Sequence, residues 1–88
     1  MVDLALRYRL ADGIAIRKES FGAISYNQLT QKLILMVDVD LISIIQAMGG
    51  YQSLGEAMDQ VLASRDRKEI IGAMNDLESR GVICATTG

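Results

Sequence analysis

The side chains best suited to catalysis are nearly missing from this sequence. It has no histidine and one cysteine, Cys84. Ser-His-Asp and Cys-His nucleophilic centres are thereby excluded, as are histidine-ligated metals and CxxC zinc sites. No disulfide can form within the chain, and Cys84 reads as a packing or tail residue. Asp38-Val39-Asp40 resembles the opening of a calcium loop, but Ile42 stands where a further oxygen ligand is needed and the loop glycine is missing. The pair is better explained as a helix N-cap. Gly49-Gly50 is not followed by the GK[ST] of a phosphate loop. The acidic residues are scattered and form no evident catalytic pair. The residues thus favour a binding module over an enzyme and call for no cofactor.

Charge narrows the kind of partner. Nine Lys and Arg stand against eleven Asp and Glu, a net charge of -2. Affinity for nucleic acid comes largely from phosphate neutralisation, which such a balance does not supply. Arg65, Arg67 and Lys68 cluster where a recognition helix would begin, yet Asp66, Glu69, Asp76 and Glu78 on the same helix cancel them. A carboxylate-bearing peptide would also relieve cations placed at the positive end of a helix dipole.

The elements that must position any site change character once, near Asp38. Leu4, Leu6, Tyr8 and Leu10 alternate with more polar residues and suggest a first strand or an extended arm. Asp12-Gly13 is a turn signal, and Ile14–Lys18 reads as a strand. A short break at Glu19-Ser20 leads into a strand over Phe21–Tyr26. Asn27–Thr30 supplies the next turn, before a strand over Lys32–Val37. Beyond Asp38 the apolar period approaches 3.6. Asp38 or Asp40 caps a helix with the stripe Leu41, Ile44, Ile45 and Met48, and Gly49-Gly50 is expected to end it in a left-handed residue. Ser53-Leu54-Gly55-Glu56 is a capping box for a second helix, with Leu54, Ala57, Met58, Val61 and Leu62 inward. A third is expected to start at Ser64 or Asp66 and to bury Ile70, Ile71, Met74 and Leu77. Gly81 falls at its C-terminal cap, and Val82-Ile83 forms a last strand or covers the core. Strands followed by helices predict a single α+β domain over 1–88, its three-stranded antiparallel sheet covered on one side by three helices in a winged-helix-like array. No apolar run reaches the length of a membrane span, and the N-terminus lacks a signal-peptide core, so the cytoplasm is the expected compartment.

Lys32–Val37 is the most informative segment. Leu33, Ile34, Leu35, Met36 and Val37 are consecutive, so both faces of the strand are apolar. No strand follows to cover its far edge. An exposed edge of this kind is a hazard unless something pairs with it. A helix or a second copy of the chain would serve; so would an extended peptide added as a further strand.

Arg17, Glu19, Phe21-Gly22-Ala23-Ile24, Tyr26 and Leu33, followed by the Asp38-to-Met48 helix, resemble the mycofactocin-system peptide chaperones. These belong to the wider group of precursor-peptide recognition domains that includes PqqD. The resemblance spans roughly Arg7 to Ile83. It departs from the family at Lys18, where a proline is common, and at Leu29, where a glycine is common. It implies a non-catalytic chaperone of winged-helix-like fold. Such a domain binds the leader of a ribosomally made precursor as an added antiparallel strand and presents it to a radical S-adenosylmethionine maturase. Carried onto this chain, the strand is Gln31–Val37 and the flanking helix face lies within Arg67–Glu78. The backbones of Leu33 and Leu35 would bond the leader. Either Ile34 and Met36 or Leu33 and Leu35 would line its pocket, with Ile70, Ile71 and Met74 opposite. Arg67 and Lys68 would meet leader carboxylates. Two other readings compete: a winged-helix DNA-binding regulator, and a homodimer that uses the edge to pair with itself.

Overall fold

The computed structural model describes residues 1–62 and 67–86. The elements are β1 (Tyr8–Leu10), β2 (Ile14–Glu19), β3 (Gly22–Asn27), β4 (Leu33–Met36), α1 (Val39–Ala47), α2 (Leu54–Val61), α3 (Lys68–Ser79) and β5 (Ile83–Ala85), with a 3-10 turn at Met48–Gly50. The chain is α+β. One antiparallel sheet runs β2-β3-β4, and a separate two-stranded ladder pairs β1 with β5. No helix among the described residues is long and apolar enough to cross a membrane.

Local chemistry explains the boundaries. Two residues, Ser20 and Phe21, join β2 to β3. Phe21, the first residue of the expected strand, therefore lies in the turn, and the strand begins one residue later. At Gly22 (φ 149°) a Cβ would stand 2.1 Å from the Met36 carbonyl oxygen, so only glycine lets the β3 start approach the end of β4. The β3–β4 turn is an Asx turn: Asn27 Oδ1 accepts from the N–H of Leu29 (2.8 Å) and Thr30 (3.1 Å). Asp38 is the cap of α1, its Oδ1 accepting from Asp40 N–H at 2.9 Å and Leu41 N–H at 3.3 Å.

One expectation is corrected and one open alternative is decided. Neither Gly49 nor Gly50 is left-handed. The helix instead tightens into a 3-10 turn, and the Arg7 guanidinium donates to the Gly49 carbonyl. Of the Leu4–Leu10 alternation, only Tyr8–Leu10 is strand. Leu6 and Leu4 carbonyls instead accept from Leu54 N–H (2.8 Å) and Gly55 N–H (2.9 Å), the first donors of α2, while Ser53 Oγ accepts from Glu56 N–H (3.1 Å). The predicted start of α3 at Ser64 or Asp66 lies outside the described residues. Its end matches the expectation: Gly81 (φ 79°) N–H donates to Glu78 and Val82 N–H to Leu77, a Schellman cap.

The core forms where the inner face of the sheet meets the helices. Ala23 and Met36 join Ile44, Leu54, Met58, Ile70, Met74 and Leu77 in one buried cluster. Tyr8 is buried against it, and its hydroxyl accepts from Asp3 N–H at 2.9 Å. Burial, opposed by that bond and reinforced by Glu78, raises the phenol above its ordinary pKa.

Candidate functional site: the open edge of β4

The ladder register fixes what β4 offers. Ala23, Ile24, Ser25 and Tyr26 oppose Met36, Leu35, Ile34 and Leu33 in turn. One residue further, Asn27 N–H donates to the Lys32 carbonyl at 3.0 Å. Bonded and non-bonded pairs alternate along an antiparallel ladder. Ser25–Ile34 and Ala23–Met36 are therefore bonded pairs, and Tyr26–Leu33 and Ile24–Leu35 are not. The N–H and C=O groups of Leu33 and Leu35 consequently point away from β3. No described strand lies on that side. The N-terminal arm, the nearest candidate to fill it, is committed to β5 and to the start of α2.

The same register resolves the facing of β4 that the sequence left open. Met36 is buried and Ile34 half-buried on the inner face, beside Ala23 and Ser25. Leu33 and Leu35 are 60% and 66% exposed on the outer face, next to Tyr26. Around the edge lie two depressions. One, of about 460 Å³, runs between the inner face of β4 and the C-terminal end of α3; Ile14, Ser25, Lys32, Ile34, Ser79 and Arg80 line it. The other, of about 440 Å³, spreads over the outer face across Ala15, Arg17, Ile24, Tyr26 and Leu33.

The sequence-predicted site residues separate into three groups. Leu33, Ile34 and Leu35 gather at the edge. Met36, Ile70 and Met74 lie beneath it as core side chains, each 3% exposed or less. Ile71 and Arg67 lie elsewhere. Ile71 shares a helix flank with Asn75, four residues on, whose Oδ1 accepts from Val2 N–H at 2.6 Å. Arg67 Nη1 meets Asp59 Oδ1 at 2.7 Å and ties the start of α3 to α2. The residues at the end of α3 that reach the cleft are Ser79 and Arg80, just past the expected Arg67–Glu78 span and a turn or more beyond Met74. Arg80 was legible only as a partner of Asp76, a pair formed at 2.9 Å. Ser25 did carry a signal: by period two it falls on the same face as Ala23, a polar residue on the buried side.

Comparison with known proteins bears on the fold and the family. No curated protein matches the chain. Among solved structures, the fold is similar to that of a lasso peptide synthetase B1 complexed with the leader peptide. The TM-score is 0.71 at 13% identity, over 89% of this chain and 98% of that one. Over residues 7–84, from the approach to β1 into β5, the sequence matches the model of the peptide chaperone MftB family. The chain belongs to that peptide chaperone family.

Proposed function

We propose that the chain binds the leader of a ribosomally synthesised precursor peptide as a fourth strand on β4. It then presents that peptide, without catalysing a reaction itself, to a radical S-adenosylmethionine maturase in a mycofactocin-like redox-cofactor synthesis in the cytoplasm. The observation that carries this reading is the row of Leu33 and Leu35 backbone groups directed away from β3. Membership of a peptide chaperone family supports it, as does likeness to a fold that another protein uses beside a leader peptide.

Energetics set the character of the complex. A leader exchanging bonds with Leu33 and Leu35 makes about four, each worth about 0.5–1.5 kcal/mol net. Ordering each leader residue costs about 1–2 kcal/mol. The backbone alone therefore fixes register without giving affinity. Apolar leader side chains must supply the surplus, about 1.5–3 kcal/mol for each one fully buried. The exposed Leu33 and Leu35 side chains are the surface that receives them. Two or three such anchors suit a chaperone that must release its cargo.

The test is amide exchange with and without a synthetic precursor peptide of the mycofactocin type. Leu33 and Leu35 amides should become protected on binding, while Ile34, already bonded to Ser25, should change little. Binding that leaves both leucine amides unprotected refutes strand addition.

A further inference from the structure

The cleft between β4 and the end of α3 is polar where the rest of the inner face is apolar. Ser25, 2% exposed and the buried polar residue of the described core, lines it. No buried side-chain oxygen or nitrogen among the described residues is left unsatisfied, so the Ser25 hydroxyl costs the fold nothing and can donate to a group that enters the cleft. At the mouth stand two cations, Lys32 and Arg80, with Ser79 beside them. Asp76 engages Arg80 Nε at 2.9 Å and neutralises only part of this charge. Nor does the negative end of α3 oppose an incoming anion strongly. Its last carbonyls, on Leu77 and Glu78, already accept from Val82 N–H (2.9 Å) and Gly81 N–H (3.1 Å).

We infer that this cleft is a specificity subsite for a carboxylate side chain of the bound leader, an Asp or Glu, received by Lys32 and Arg80 with Ser25 donating from the floor. The subsite presupposes β4 as the leader's docking edge. A strand added there repeats the pleat of β4. Leader residues bonded to Leu33 and Leu35 place their side chains on the outer face. The alternate residues point inward, beside Ile34 and Lys32, into the cleft. The leader is thus expected to alternate apolar residues outward with an acidic residue inward at the Lys32 end. A peptide with only apolar side chains would offer nothing to Lys32 or the Ser25 hydroxyl and would leave Arg80 with Asp76 alone.

The test uses a mycofactocin-type precursor peptide, synthesised in full, and versions in which each Asp or Glu in turn becomes Asn or Gln. Calorimetry should find one position where the amide weakens binding by on the order of tenfold. That loss should vanish in the doubly substituted Lys32→Gln, Arg80→Gln protein, which no longer distinguishes acid from amide. Ser25→Ala should weaken binding of the acidic peptide more than that of its amide counterpart, a difference that a general loss of stability would not produce. The inference is overturned if no acidic position matters, or if the double variant still discriminates acid from amide. A Leu35→Pro control separates the two readings. If it abolishes binding while the cleft variants bind normally, the edge stands and the subsite falls. Normal binding by a folded Leu35→Pro protein removes the edge itself.

Discussion

Leu35→Pro and Ile34→Pro are neighbouring substitutions with opposite expected outcomes. Leu35 N–H faces the open edge, so proline there removes no bond of the sheet; edge strands accept proline when its N–H side faces outward. The preceding residue is already extended, as proline requires. The folded state should therefore lose little stability. Leader binding loses one donated bond and strands a leader carbonyl at a desolvated edge, together about 1.5–4 kcal/mol, or on the order of ten- to a thousandfold in Kd. Leu35→Ala isolates the side-chain contribution, which must be subtracted. Ile34→Pro instead removes the bond to Ser25 inside the sheet and leaves a buried carbonyl unpaired, about 1–3 kcal/mol. In a domain of this size that lowers the melting temperature by roughly 4–20 °C. Calorimetric titration with the precursor peptide and a thermal melt of each variant measure both quantities. The reasoning fails if Leu35→Pro stays folded and binds normally, or if it unfolds the protein while Ile34→Pro does not.

Other substitutions probe the scaffold. Gly22→Ala should lower the melting temperature by more than about 5 °C and weaken peptide binding, because the added methyl meets the Met36 carbonyl and must displace the end of β4; an unaltered melt and titration would contradict the close approach. Tyr8 has a folded pKa above its unfolded value of 10.0, so its contribution to stability is complete below pH 10.0 and is lost as pH rises through the folded value. Denaturation followed from pH 9 upward should show this alkaline decline in the native chain and a shallower one in Tyr8→Phe; equal slopes would refute the assignment. A fluorescence titration with duplex DNA at low salt should show no binding, as the net charge of -2 implies; strong, steeply salt-dependent binding would favour the regulator reading instead.

What the sequence made legible follows physical range. Hairpins, caps and the end of α3 depend on neighbours within a few residues: Asp38 over α1, Ser53 over α2, and Gly81 with Val82 after α3. Each was readable because both partners of the interaction sit in one short window. Whether Leu4–Leu6 was strand or arm stayed open because its partners, Leu54 and Gly55, lie some fifty residues on. Alternation alone cannot distinguish a strand from an arm that caps a distant helix. The same limit explains the candidate site. Leu33–Val37 was identified as an open-edge segment because consecutive apolar residues in a terminal strand are anomalous, and Leu33 and Leu35 were singled out within it through the family resemblance. The facing helix surface depended on how α3 lies across the sheet, and expectation placed the wall at Ile70 and Met74, whose apolar character marks them equally well as core.

Under the proposed function, the labour divides between two kinds of group. Backbone at Leu33 and Leu35 can hold any extended chain, since N–H and C=O carry no side-chain identity. Selection must come from what stands beside the strand. On the outer face that is apolar and open, formed by Leu33, Leu35 and Tyr26, and it discriminates weakly among apolar residues. On the inner face Ser25, Lys32 and Arg80 supply groups whose bonds must be met or forfeited, and such sites reject the wrong partner more sharply. A chaperone that must accept one precursor, and refuse the other extended segments it meets, has its strongest basis for refusal in that polar cleft rather than in the edge that does the holding.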